Sequence, residues 1–175
     1  MRALEPVQRF AEAAQAYCSL IESHESLTAY QLLRGAAERL AALYLSALAL
    51  PEVESLPVEA DTPDAFYDAV PMKQIAALSR NLGAKFGNYD VYRLALDPFE
   101  DEQVGASSLG VDFADIYGDL KRGLIAFDTG SDNDAIDAVW HWKFSFGNHW
   151  GRHLSEGLRA VHIILFDYLI TDSDE

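Results

Sequence analysis

Apolar residues recur at three- and four-residue intervals along most of this chain, the period of a helix that buries one face. From about Pro6 to Glu22 the stripe is Phe10, Ala13, Ala14, Tyr17, Cys18 and Ile21, and Pro6 suits a first helical turn. A second stripe, Leu32, Leu33, Leu40, Leu43, Tyr44 and Leu48, predicts a helix over roughly Leu27 to Leu48, capped by Ser26 or Thr28 and ended by Pro51. The SHES connection between them is short, so the two helices are expected to form an antiparallel hairpin with His24 exposed at its tip.

The pattern then breaks. Pro51, Pro57, Pro63 and Pro71 forbid a continuous helix, and only Thr62-Pro63-Asp64 could open a single turn. The acidic, proline-rich stretch 51–71 therefore reads as a long connection, of the kind used for lids and binding loops. Residues 72–83 read as a short helix broken by Gly83, Gly87 and Asn88, and Tyr89–Leu96, ending at Asp97-Pro98, reads as extended or as a lone strand.

Three clearer helices follow. Ser107 or Ser108 can cap one that carries Phe113, Ile116, Tyr117, Leu120, Leu124 and Phe127 on one face and stops at DTGSDND. The next covers Asn133 to Phe146, with Ile136, Val139, Trp140 and Lys143 to Phe144 in phase, and Trp140 as core. Gly147 suits its C-terminal end and Asn148 the cap of the last helix, whose stripe is Trp150, Leu154, Leu158, Val161, Leu165 and Tyr168. The tail, 171–175, reads as frayed. The expectation is an all-α single domain over 1–175, a bundle of five to six helices with one long proline-rich connection and one short extended segment.

Composition narrows this little. At 175 residues, half of them apolar or aromatic, the chain suits one globular domain. No apolar run approaches the roughly 20 residues of a membrane span, and MRALEPVQRFAEA turns polar too soon for a signal peptide. A single cysteine, Cys18, in phase with apolar neighbours, reads as a core thiol and fits a reducing cytoplasm. The net charge of −15 comes from two segments: 51–68 has six acids and no base, and 97–137 has eleven acids against Lys121 and Arg122. Such a chain repels phosphate backbones, so the charge argues against nucleic acid and anionic membranes and points to a basic protein partner. Homo-oligomerisation is left open.

The chemistry concentrates late. Residues 140–162 hold all three tryptophans and four of the five histidines. On the last helix His149, His153 and Glu156 share one stripe, and two imidazoles one turn apart can chelate a metal ion. On the helix before residue 128, Asp112, Asp115 and Asp119 form a carboxylate stripe, and Asp119 can pair with Arg122. A bundle can join such helices into a metal site. Against this, Trp150 stands where HExxH needs glutamate, no Glu-x-x-His occurs, and His162 lies on the opposite flank. The simpler alternatives are a solvated acidic face, one imidazole beneath a tryptophan and the other bonded to a carbonyl. Ser107, Ser108, Ser145 and Ser155 lack a nucleophile elbow, Cys18 has no histidine beside it, and no glycine loop has phosphate-binding spacing.

DFADIYGDL at 112–120 and FGNHWGRHL at 146–154, with Leu158 and His162 beyond, resemble the hallmark segments of a bacterial family, domain of unknown function 5063. Phe10, Tyr17-Cys18, Leu20-Ile21-Glu22, Leu43-Tyr44, Leu50-Pro51, Tyr92 and Asp97-Pro98-Phe99 extend the likeness over nearly the whole chain. The resemblance implies an all-helical bacterial cytoplasmic protein and no particular activity. A weaker likeness is to the metal-binding helical bundles of the DinB and YfiT type, where His149 and His153 would need His24 or His141 as the third ligand; neither has a matching local motif.

The sequence thus favours a non-enzymatic acidic module that binds or adapts a protein partner, with no cofactor expected. Its surface would comprise Asp112, Asp115, Asp119, His149, Trp150 and His153. One alternative is a metal-dependent hydrolase or transferase in which His149 and His153 hold a divalent ion, Asp115 or Asp119 serves as ligand or base, and Glu156 is a further candidate. Another is a small-molecule sensor binding against Trp140, Trp142 or Trp150. What separates them is whether the carboxylates of 112–119 meet the imidazoles of 149–153.

Overall fold

The computed structural model describes residues 1–56, 65–95, 99 and 104–168. Among these residues the chain forms six helices of fifteen residues or more and one small hairpin. The long helices are α1 (Glu5–Glu22), α2 (Ala29–Leu48), α4 (Met72–Phe86), α5 (Leu109–Asp128), α6 (Asp132–Asn148) and α7 (Trp150–Phe166); α3 (Ala65–Asp68) is a single turn. Strands β1 (Val91–Ala95) and β2 (Val104–Ser108) pair antiparallel. The all-α, single-domain expectation holds with that hairpin added. Within the stretch expected as extended or a lone strand, Val91–Ala95 is a paired strand, because Val104–Ser108, too poor in apolar residues to show an alternation, supplies its partner. No helix among the described residues is long and apolar enough to cross a membrane. Residues 62–64 and the 171–175 tail lie outside the described residues.

Helix α5 is the hub, packed against α1, α4, α6 and α7, while α2 closes the bundle against α1 and α7. Its apolar face, Phe113, Ile116, Tyr117, Leu120 and Leu124, is buried as its period predicts. Thr28 caps α2 in a reciprocal capping box with Gln31, an arrangement worth about 1 kcal/mol. The Tyr17 hydroxyl donates to the Phe113 carbonyl at 3.0 Å, and Tyr117 and Lys121 both reach the Glu22 carboxylate, tying α1 to α5. Cys18 is fully buried and its thiol is pushed up to about 12, chiefly by desolvation, so it is an inert core group.

Several local expectations are corrected by packing. Helix α4 runs through Gly83 to Phe86, because Gly83 is a contact point rather than a break: a Cβ on Gly110 would lie 2.5 Å from the Ser79 carbonyl oxygen and 2.6 Å from the Gly83 nitrogen. His24 is not exposed; a turn of 3₁₀ helix folds it inward and its Nδ1 lies 2.8 Å from the Ile21 carbonyl. Helix α6 turns Trp142 rather than Trp140 into the core, where the indole lies flush on Gly123 and donates to the Leu120 carbonyl at 3.3 Å. Trp140 instead stacks on half-exposed Phe144. The α6–α7 junction is one residue later and tighter than Gly147-Asn148 suggests. Gly147 and Asn148 remain helical, the Asn148 amide donates back to the Phe144 carbonyl, and His149 alone forms the corner. Bulk is what the corner cannot take: a Cβ on Gly151 would sit 2.1 Å from the Phe146 carbonyl oxygen.

Candidate metal centre

The corner at His149 and the first turns of α7 face the first half of α5. Spacing on α5 (Asp112, Asp115, Asp119) and on α7 (His149, His153, Glu156) sets one polar stripe against the other. The two stripes converge. His153 Nδ1 lies 2.9 Å from Asp112 Oδ1, and His149 Nδ1 lies 2.8 Å from Asp119 Oδ2. Each ring is therefore oriented by a carboxylate through one nitrogen, which leaves Nε2 as its other donor. His153 Nε2 lies 3.6 Å from Asp115 Oδ2, and the two rings meet edge to face at 4.9 Å. Donor atoms of Asp115, His149 and His153 all fall within 4.8 Å of one another.

The orienting carboxylates are themselves held. Asp112 has no solvent exposure and accepts the Tyr92 hydroxyl at 2.5 Å, the Ser107 hydroxyl at 3.1 Å and His153. Tyr92 and Ser107 are direct cross-strand partners, so the hairpin delivers both hydroxyls to one carboxylate. Asp112 also lies in the first turn of α5, where the helix dipole favours a negative charge. Asp119 is held by Arg122 at 3.3 Å, and Arg122 reaches on to the Val70 carbonyl at 2.9 Å. Among the described residues this makes two relays, hydroxyls–Asp112–His153 and Arg122–Asp119–His149, flanking Asp115.

The expectation of a solvated acidic face fails at Asp112, which is wholly buried, and at Asp119, whose side chain is 12% exposed. Asp119 serves His149 rather than joining the triangle, and Glu156 stands beside it without belonging to the close group. Trp150, first of the apolar stripe of α7 and also offered as part of a binding surface, is core: it is fully buried against Phe10 and donates its indole N–H to the Trp142 carbonyl. No further histidine joins the pair: His141 stacks on Phe66 beside Asp137, and His24 is bonded at the α1–α2 tip. Tyr92 and Ser107 are the members that sequence reasoning missed as site residues. Their signal was a partnered strand, and β2 carries too little apolar pattern to announce one.

The electrostatics favour proton retention. His149 is raised above 6.5 chiefly by its hydrogen bond to Asp119, against opposing desolvation. Asp115 and Glu156 are raised chiefly by burial. A group whose pKa is higher folded than unfolded adds stability below the unfolded value and loses it as pH climbs through the folded one. Metal-free protein should therefore melt higher near pH 6 than near pH 8, and His149→Gln should shrink that difference. Equal pH dependence in wild type and variant, followed by differential scanning fluorimetry, would contradict the assignment.

Residues 3–167 match the family described as domain of unknown function, DUF5063. The chain belongs to the DUF5063 family. A crystal structure of a protein from Bacteroides fragilis, BF1032, is similar to this DUF5063 chain at a TM-score of 0.77 and 26% identity, covering 91% of this chain and 92% of that one. No curated protein matches it.

Proposed function

We propose that Asp115, His149 and His153 form an open divalent-metal centre, and that this DUF5063 protein is a metal-dependent enzyme of the hydrolase or transferase class. The observation that carries the reading is the pair of Asp–His relays. Metal-ligating histidines characteristically donate their second nitrogen to a carboxylate, which fixes tautomer and ring angle. Here both histidines do so, while Nε2 is left beside a third donor. Two histidines and one carboxylate suit a first-row divalent ion and leave coordination positions for water and substrate. An ion so held would acidify a bound water and polarise a substrate oxygen. The protein's part is orientation: Asp112 and Asp119 aim the rings, and partly buried Asp115 supplies the charge. The competing reading, an acidic module docking a basic partner, is supported by the charge imbalance of the sequence.

Untagged, metal-stripped protein titrated with Zn2+, Co2+ and Mn2+ tests the proposal. One equivalent should bind and raise the melting temperature, since an ion at 100 times its Kd adds about 2.7 kcal/mol of apparent stability. His153→Ala and Asp115→Asn should each weaken binding at least tenfold. Absence of stoichiometric binding, with salt-sensitive capture of a basic partner instead, would transfer the assignment to the docking module.

A further inference from the structure

A second feature adjoins this centre. Between β1 and the C-terminal half of α7 lies a cleft of about 480 Å³, within the usual size of small-molecule sites. Its walls are apolar, with Val91, Ala160, Ile163 and Ile164, and Tyr89 and Tyr168 stand at its rim with ring centroids 5.9 Å apart. Arg93 and Arg159 line it, and no acidic side chain among the described residues does. That is a local reversal of sign in a protein with 28 acids and 13 bases. Elsewhere six of the other eleven cations, Arg2, Arg9, Arg34, Lys121, Arg122 and Lys143, meet carboxylates among the described residues. Arg93 and Arg159 form no ion pair or hydrogen bond among the described residues, although acids are abundant.

We propose that this cleft binds a small organic anion, with a phosphate or carboxylate head on Arg93 and Arg159 and a flat apolar body against Tyr89 and Tyr168. Guanidinium groups offer paired donors that match both oxyanions, and exposed tyrosine rings offer contact area at small entropic cost. One residue links the cleft to the metal centre. Tyr92 lines the cleft and donates to Asp112. On α7 the stripe of His149, His153 and Glu156 continues through Ala160 to Ile163, placing Ala160 roughly 10 Å along the axis from His153. A ligand long enough to span that distance would bring its far end toward the triangle and make the cleft the seat of the substrate. That last step rests on the metal reading; anion binding does not.

The test uses the metal-free, full-length protein and three probes of similar size: phenyl phosphate, benzoate and neutral benzyl alcohol. NMR titration should show saturable binding of at least one anion, at least tenfold tighter than benzyl alcohol, with shifts centred on Val91–Arg93 and Arg159–Ile164. The stronger anion identifies the head group. Arg93→Met and Arg159→Met, which keep the apolar stems of two exposed side chains, should each weaken that anion about tenfold without moving the melting temperature. Equal binding of the neutral probe, indifference to both arginine variants, or no saturation by either anion overturns the proposal. If the anion binds and zinc does not, the cleft stands and the metal centre falls; zinc binding with no anion binding gives the reverse.

Discussion

Asp112→Ala should cost the fold about 3–5 kcal/mol, the sum for leaving several hydrogen-bond donors without their acceptor after partial relaxation. The loss follows from what remains. Tyr92, Ser107 and His153 all donate to this carboxylate, and its removal strands three donors around a site with no solvent exposure. Each stranded donor carries a desolvation cost of about 1–3 kcal/mol, part of which relaxation recovers. The variant also removes two of the hairpin's contacts with α5 and lets the His153 ring turn, so zinc affinity should fall by roughly 10–100-fold, as for other orienting partners of metal ligands. Asp112→Asn keeps an acceptor for His153 and should lose less in both measurements. Urea unfolding checks the first expectation and zinc titration the second. A loss below about 1 kcal/mol for Asp112→Ala would mean that this carboxylate does not anchor the hairpin.

Gly151→Ala should be comparably damaging for a different reason. The added methyl would meet the Phe146 carbonyl oxygen at 2.1 Å, and beyond it the Phe146 ring at 2.7 Å. A carbonyl in the last turns of a helix cannot swing aside as a flexible side chain can, so α7 must move away from α6. Overpacking of this kind costs about 1–3 kcal/mol, and the backbone contact puts this case at or above the upper end. Alanine's better helix propensity returns only about 1 kcal/mol. Because His149 is the corner that would open, the substitution should also abolish tight zinc binding. Gly147→Ala, four residues earlier and facing open space, is the control and should be tolerated. Equal melting temperatures for the two variants would refute the crowded corner.

What the sequence made legible, and what it hid, divides along physical lines. Helical periodicity placed the six long helices because each buries one stripe, and the same periodicity put Asp112, Asp115 and Asp119 on one face and His149 and His153 on another. It could not say that the faces meet, since spacing along a helix carries no information about rotation relative to a neighbour. Trp142 shows the same limit. Trp140 and Trp142 differ by 200° around α6, and only the flat seat at Gly123 decides which is inside. Asp112 looked like a solvated acid because nothing local reveals that the hairpin will bring Tyr92, twenty residues upstream, onto it beside Ser107. Gly83, Gly110 and Gly151 read as breaks or went unread, yet all three mark places where another backbone comes close.

His149 has a further consequence through its main chain. Its N–H closes α6 on the Ser145 carbonyl at 2.7 Å, and its carbonyl opens α7 by accepting the Arg152 amide at 3.0 Å. The residue whose ring faces Asp115 is thus also the splice between two helices. Fraying of either helix end and departure of the imidazole become a single excursion. Amide exchange at His149 and Arg152 should therefore slow in step with occupancy of the ring, making the lifetime of the corner and the residence time of whatever the ring holds one clock.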